Sequence, residues 1–197
     1  MRLFNPIRSV RTLLTDIRYG AYLRGGEKTR FAHLGAHNVG NASYLELSYV
    51  FPEGTIGDGD VLVDLGCGKG RVLNWWLKER GNRNRLIGIE LDPDWAERVR
   101  RRLARYRSVE IITGNVLDVL PTVDANVIFM FNPFNETVMR GVEELLRGKN
   151  VRIFYYYSKH VSVWRNGHWD VEVKPPPRKY FYDLAVIRPL ASSSSSN

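Results

Sequence analysis

The chain has 197 residues, 44% of them hydrophobic, enough to bury one substantial core and within the size range of a single domain. One cysteine, Cys67, excludes an internal disulfide, and no CxxC or HExxH string supplies metal ligands, so no metal site is expected. The 29 lysines and arginines exceed the 21 acidic residues by 8, which favours encounter with polyanions or anionic surfaces. Much of that excess, Arg98, Arg100, Arg101, Arg102, Arg105 and Arg107, reads as the solvated face of one helix.

Residues 6–19 predict a basic amphipathic helix, with Ile7, Val10, Leu13, Leu14 and Ile17 at helical spacing between arginines. Its apolar stripe is expected to cap the fold, and peripheral contact with an anionic membrane is the alternative. Arg2, Arg8, Arg11, Arg18 and Arg24 interrupt this end without a continuous apolar run. Neither a secretory signal nor a membrane span is expected there, and the cytoplasm is the expected location. The glycosylation patterns at Asn41 and Asn135 then carry no weight.

From Val61 onward, short apolar runs alternate with segments of helical period, which predicts an α/β fold with a parallel sheet and helices on both faces. Strands are expected at 61–65, 85–90, 109–113, 126–131, 151–157 and 180–187. A helix at 70–80 puts Val72, Leu73, Trp76 and Leu77 on one stripe and stops at Gly81. A second opens at Asp92 and Pro93, a capping side chain and a ring suited to the first turn, and carries Trp95, Val99, Leu103 and Tyr106. Pairs Asp94 to Arg98 and Glu97 to Arg101 are expected along it. A third at 135–147 buries Val138, Val142 and Leu145 before Gly148. Beyond Val161 the pattern weakens; Pro175, Pro176 and Pro177 form a stiff turn into the last strand, and Ser192 to Ser196 read as a disordered tail.

The string Asp64-Leu65-Gly66-Cys67-Gly68-Lys69-Gly70-Arg71 joins a strand to a helix through a glycine turn that permits close backbone approach by a ligand. Arg71 stands where a dinucleotide fingerprint needs its third glycine, and no Walker spacing occurs anywhere. What remains, D-x-G-x-G-x-G, resembles the first motif of class I S-adenosylmethionine-dependent methyltransferases, and the resemblance extends over about 61–187. It implies that Asp64, Gly66, Cys67, Gly68 and Gly70 cradle the cofactor, with Cys67 a small residue and no reactive thiol. Glu90 would accept from the ribose hydroxyls, Leu91 would pack on the adenine, and Asn115 with the Val116 backbone would read its amino group. It also implies a lid over the cofactor at 31–41, with His37 toward substrate.

The fourth strand ends in Asn132-Pro133-Phe134, where amino-group methyltransferases of nucleobases have an Asn-Pro-Pro-Tyr type motif whose asparagine side chain and proline carbonyl accept from the target amine. One proline is missing here; small bacterial methyltransferases of undefined substrate show a similar Asn-Pro-Phe. Asn132, Pro133 and Phe134 are the catalytic candidates, with His160 and Lys159 as bases at the end of the fifth strand. The expectation is a doubly wound, seven-stranded sheet, mostly parallel with an antiparallel last strand, helices on both faces and an N-terminal helical cap. Residues 1–190 form one domain (1–55 cap and lid, 56–190 core), and 191–197 the tail. The implied activity is methylation of an O or N atom of an anionic small molecule, glycan or lipid headgroup. A nucleic-acid methyltransferase and a non-catalytic S-adenosylmethionine-binding regulator are the alternatives.

Overall fold

The computed structural model describes residues 6–23 and 25–190, with side chains from residue 10 onward. The expected tail, Arg2, Arg24 and the side chains of Ile7 and Arg8 lie outside the described residues.

Seven strands, β1 Val61–Leu65, β2 Arg85–Glu90, β3 Val109–Thr113, β4 Val127–Phe131, β5 Arg152–Tyr156, β6 Trp169–Lys174 and β7 Leu184–Pro189, form one sheet in the order β3-β2-β1-β4-β5-β7-β6. β7 runs antiparallel to both neighbours, and the other pairings are parallel. β2 lies on one side of β1 and β4 on the other, so a crevice opens at the carboxyl ends of β1 and β4, where ligands of such sheets bind.

Alternation along the strands divides the core in two. Leu62, Leu86, Phe129 and Phe154 face one layer, built with α2 (Tyr44–Val50), α3 (Arg71–Arg80) and α4 (Pro93–Leu103). Val63, Ile87, Ile128 and Ile153 face the other, covered by α5 (Val116–Val119) and α6 (Glu136–Leu146). Tyr155 and Tyr156 point to opposite layers, as alternation requires.

Several expectations need correction. β6 was not located among the seven expected strands: only Trp169 of its six residues is fully buried, so its pattern is that of a polar edge strand. The last strand starts at Leu184, not residue 180, because Tyr182 N–H donates to the Tyr156 hydroxyl and Asp183 Oδ2 accepts from Ser158 N–H, holding 180–183 as a loop. On α4, Arg98 lies over the Trp95 ring, 4.8 Å from its centroid, in place of the pair with Asp94. Trp95 is half-buried and also faces Lys69, so it is no core ring, whereas Trp75 and Trp76 are buried. On α6 the buried face is Met139, Val142, Glu143 and Leu146, with Val138 and Leu145 at its margin.

The N-terminal helix α1 (Pro6–Arg18) departs furthest from expectation. Val10, Leu14 and Ile17 of its apolar stripe are exposed, and the helix docks instead through Asp16 and Tyr19, which are 0% and 4% exposed.

Candidate functional site

β1 delivers the glycine turn into the crevice. Gly66, Gly68 and Gly70 adopt φ of 76°, 50° and 73°, the left-handed region that side chains resist. A Cβ on Gly66 would meet Pro133 Cβ at 2.8 Å, and one on Gly68 would meet Val39 Cγ1 at 2.9 Å. The turn therefore needs glycine twice over, for its path and for the two segments pressed against it. Gly66 and Cys67 N–H both donate to the Ile89 carbonyl, at 2.9 and 3.0 Å. Cys67 is buried with Sγ toward Gly88, and burial, with the charges of Glu90 and Asp64, pushes its thiol well above the usual range. It fills the space against Gly88.

Glu90, at the end of β2, accepts from Gly68 N–H at 2.7 Å and Asp92 N–H at 2.9 Å, so the carboxylate that lines the crevice also holds the turn in shape. Burial raises its pKa, opposed by those two donors. Asp64 is buried, and its carboxylate has no hydrogen-bond partner among the described residues. Burial and the charge of Glu90 push its carboxyl well above the usual range. Two buried acids, beside a turn with glycine at 66, 68 and 70, suit a ligand that is cationic at one end and nucleoside-like at the other, as S-adenosylmethionine is.

Gly66, Gly68, Glu90, Leu91, Asn115, Val116, Pro133 and Phe134 line one cleft, whose enclosed space is about 70 Å³ and which widens to about 700 Å³ counted to its open mouth. Asp64, Cys67, Gly70, Asn132 and His160 are not among the residues that line it. Asn115 Oδ1 accepts from Leu117 N–H at 3.0 Å, so the residue expected to read adenine also caps α5. Residues 25–41 close over the cleft as a lid. Glu27 and Val39 pair across it, Ala36 bridges to Phe134, and Arg30 reaches Asp92 and Asp94 at 2.6 Å each. Lys69 of the turn pairs with Glu27 at 2.9 Å.

The lid is fastened to the rim where the acceptor was expected. His37 N–H donates to the Pro133 carbonyl at 2.8 Å, and His37 Nδ1 lies 2.8 Å from the Asn132 carbonyl oxygen, so the tautomer protonated at Nδ1 donates there and leaves Nε2 as a lone pair. Asn132 itself is buried at a strained φ of 40°. Its Oδ1 accepts from the Tyr155 hydroxyl at 3.2 Å, and Tyr155 Oη accepts from His160 N–H at 3.2 Å. The His37 and His160 rings lie 6.3 Å apart. Burial, reinforced by His37 and Lys159, lowers the His160 pKa, with Glu136 opposing.

Sequence reasoning missed the network behind the turn. Asp16 accepts from Arg71 Nη2 at 2.8 Å, from Arg71 Nε at 3.3 Å, from the Tyr44 hydroxyl at 2.6 Å and from Leu23 N–H at 3.2 Å. Arg102 donates to Asn74 Oδ1 at 2.6 Å, to the Tyr19 carbonyl at 2.8 Å and to the Lys69 carbonyl at 2.8 Å. Arg71, noted only for not being glycine, is thus the hinge pin between the cap and the turn. The one available signal was Ser43-x-x-Glu46, a capping box whose two reciprocal hydrogen bonds open α2 and so place Tyr44.

Residues 62–148 match the family model described as a methyltransferase domain. No curated protein matches the chain. Among solved structures, the SAH-bound methyltransferase PaMTH1 of Podospora anserina aligns with a TM-score of 0.59 and 14% identity over 96% of this chain and 98% of that one. An RNA methyltransferase from Salinibacter ruber, in complex with S-adenosyl-L-homocysteine, gives 0.59 and 17% over 81% and 98%. A glutamate-to-glutamine mutant of MtNAS, in complex with S-adenosylmethionine, gives 0.59 and 20% over 74% of this chain, which spans 61% of that protein's length. The chain has the fold of the class I S-adenosylmethionine-dependent methyltransferases, and its residues 62–148 are similar to the methyltransferase-domain family.

Proposed function

We propose that the cleft holds S-adenosylmethionine and that the chain transfers the cofactor's methyl group to an anionic small-molecule, glycan or lipid-headgroup acceptor, on an oxygen atom in preference to an amine. The residues that would hold the cofactor are the 66–70 turn, Asp64 toward its cationic end, Glu90 toward the ribose, and Leu91, Asn115 and Val116 toward the adenine. What the cofactor supplies is an activated methyl group; the chain supplies position and exclusion of water.

The polarity of the rim carries the acceptor reading. In amino-group methyltransferases the asparagine side chain and a proline carbonyl accept from the target amine. Here Tyr155 occupies Asn132 Oδ1 and His37 occupies the Pro133 carbonyl. Since Tyr155 Oη already accepts from His160, its proton needs the Asn132 oxygen, which fixes the carboxamide orientation. The Asn132 NH₂ is then the group left over, without a partner among the described residues, and it calls for a lone pair on the substrate, as a carboxylate, phosphate or phenolate has. The same occupancy argues against methylation of a base amino group. His37 Nε2 and the His160 ring, held neutral by its lowered pKa, are the bases available to a hydroxyl acceptor.

The test is methyl incorporation from labelled S-adenosylmethionine into extract fractions, with wild type and Asn132→Asp. Label in an acidic small-molecule, glycan or lipid fraction, lost in the variant, is expected. Label in RNA or DNA would replace this reading with the nucleic-acid one. Cofactor binding with no labelled fraction would make the chain a regulator.

A further inference from the structure

We propose that α1 is an interfacial helix that docks the protein on an anionic lipid bilayer. The observation is the reversal of its expected orientation. Val10, Leu14 and Ile17 stand on one stripe at helical spacing and are 52%, 61% and 56% exposed, while Asp16 and Tyr19 on the other side are buried. Single exposed apolar residues need no explanation, but three in register along a helix held rigidly by a buried ion pair do.

The charge beside the stripe decides the occupant. Arg11 and Arg18 are exposed on the same helix, adjacent to Leu14 on the helical wheel, and neither makes an ion pair among the described residues. Asp16, the one acid of the helix, is buried against Arg71, so the outward face carries cations only. Arg105 brings a further cation to the end of the helix, donating to the Arg18 carbonyl at 2.6 Å. Apolar side chains with flanking arginines are what an anionic headgroup layer takes up: the stripe enters the acyl boundary and the guanidinium groups meet lipid phosphates. A second copy would bring the same cations face to face, and a nucleic acid would find no use for the stripe.

The arrangement joins the surface to the cleft. The chain leaving α1 passes through Leu23, whose N–H and carbonyl are held by Asp16 and Arg71, directly into the lid that begins at Gly25. Docking therefore places the lid and cleft mouth within a short stretch of chain from the membrane. The inference does not rest on the acceptor assignment.

Co-sedimentation of the full chain with vesicles of phosphatidylcholine alone, or one-third phosphatidylglycerol, tests it. Binding to the anionic vesicles is expected, weakened by salt, and at least tenfold weaker in Leu14→Glu/Ile17→Glu. Arg11→Gln/Arg18→Gln should weaken binding and flatten its salt dependence. Both variants alter exposed residues, so S-adenosylmethionine binding by calorimetry should be retained; the same calorimetry reports the cleft separately from the helix. No vesicle binding, equal binding to neutral vesicles, or an unaffected Leu14→Glu/Ile17→Glu variant would each overturn the proposal. So would a wild-type dimer that this variant converts to monomer.

Discussion

Asp16→Ala is the sharpest test of how the cap is held to the turn. Asp16 is fully buried and accepts from both Arg71 nitrogens, the Tyr44 hydroxyl and Leu23 N–H. Its removal leaves the Arg71 guanidinium, 8% exposed, with the Leu23 carbonyl at 2.7 Å and no counter-charge. Breaking one side of a buried pair costs about 3–5 kcal/mol, a large share of the roughly 5–15 kcal/mol that holds a domain folded. At about 2–4 °C per kcal/mol for a chain of this size, the melting temperature should fall by about 6–20 °C. The double variant Asp16→Ala/Arg71→Met removes both charges and should recover about half the loss or more, giving a clear coupling in the cycle. Urea unfolding followed by circular dichroism measures each, and hydrogen exchange shows whether residues 10–23 open first. A single variant within about 1 kcal/mol of wild type, or strictly additive variants, would refute the view of this pair as the anchor.

Gly68→Ala should weaken cofactor binding by at least about tenfold while costing about 1–2 kcal/mol of stability, because the turn must leave φ 50° or displace Val39; calorimetry and thermal unfolding measure the two effects. Asp64→Asn should weaken the cofactor yet stabilise the free protein near neutral pH. With a folded pKa raised above the unfolded one, the wild-type contribution is full below about pH 4 and lost as pH rises through the raised value, so the variant's advantage should vanish in acid. Glu143 is the opposite case: burial would raise it, but hydrogen bonds from Arg147 and Trp169 outweigh that and hold it at about 2. Its contribution is present above the unfolded pKa of about 4.3 and lost as pH falls through about 2, so Glu143→Gln should destabilise at neutrality and match wild type in strong acid. Once an acceptor is known, the transfer rate should fall as pH drops through a value below 6.5, and His160→Gln should remove that limb and slow transfer by about 10²-fold or more. An unaltered limb would take the base role from His160.

The sheet was legible because buried parallel strands are nearly continuous apolar runs, and β1 to β5 fall within one residue or so of their expected bounds. The exposed edge β6 carries no such run, and 180–183 look like a strand but are held off by hydrogen bonds from Ser158 and to Tyr156. Gly66, Gly68, Glu90, Leu91, Asn115 and Val116 line one cleft, because each lies at or just beyond a strand end. What the sequence could not display was partnership across long separations: Asp16 with Arg71, Arg102 with Lys69, and His37 with Pro133. Helical spacing reported that α1 is amphipathic, but not which of its faces the fold uses. One buried aspartate outweighs three apolar side chains there, because Arg71 is already buried at the start of α3 and must be neutralised.

That choice links the two ends of the molecule. Arg71 follows the last glycine of the turn, and Arg102 holds the Lys69 carbonyl inside it. Both reach back to the segment 16–23. The turn, whose three glycines leave it little stiffness of its own, is therefore braced from outside by two cations of α3 and α4 that tie it to the cap. The lid starts from that brace, crosses the cleft with Val39 on Gly68, and ends on Pro133 through His37. With the lid in this place the cleft encloses about 70 Å³. Besides Val39 on Gly68 and His37 on Pro133, the lid is fastened by Arg30 to Asp92 and Asp94, by Glu27 to Lys69 and by Ala36 to Phe134, most of them exposed pairs, while the Asp16 anchor is deep and charged.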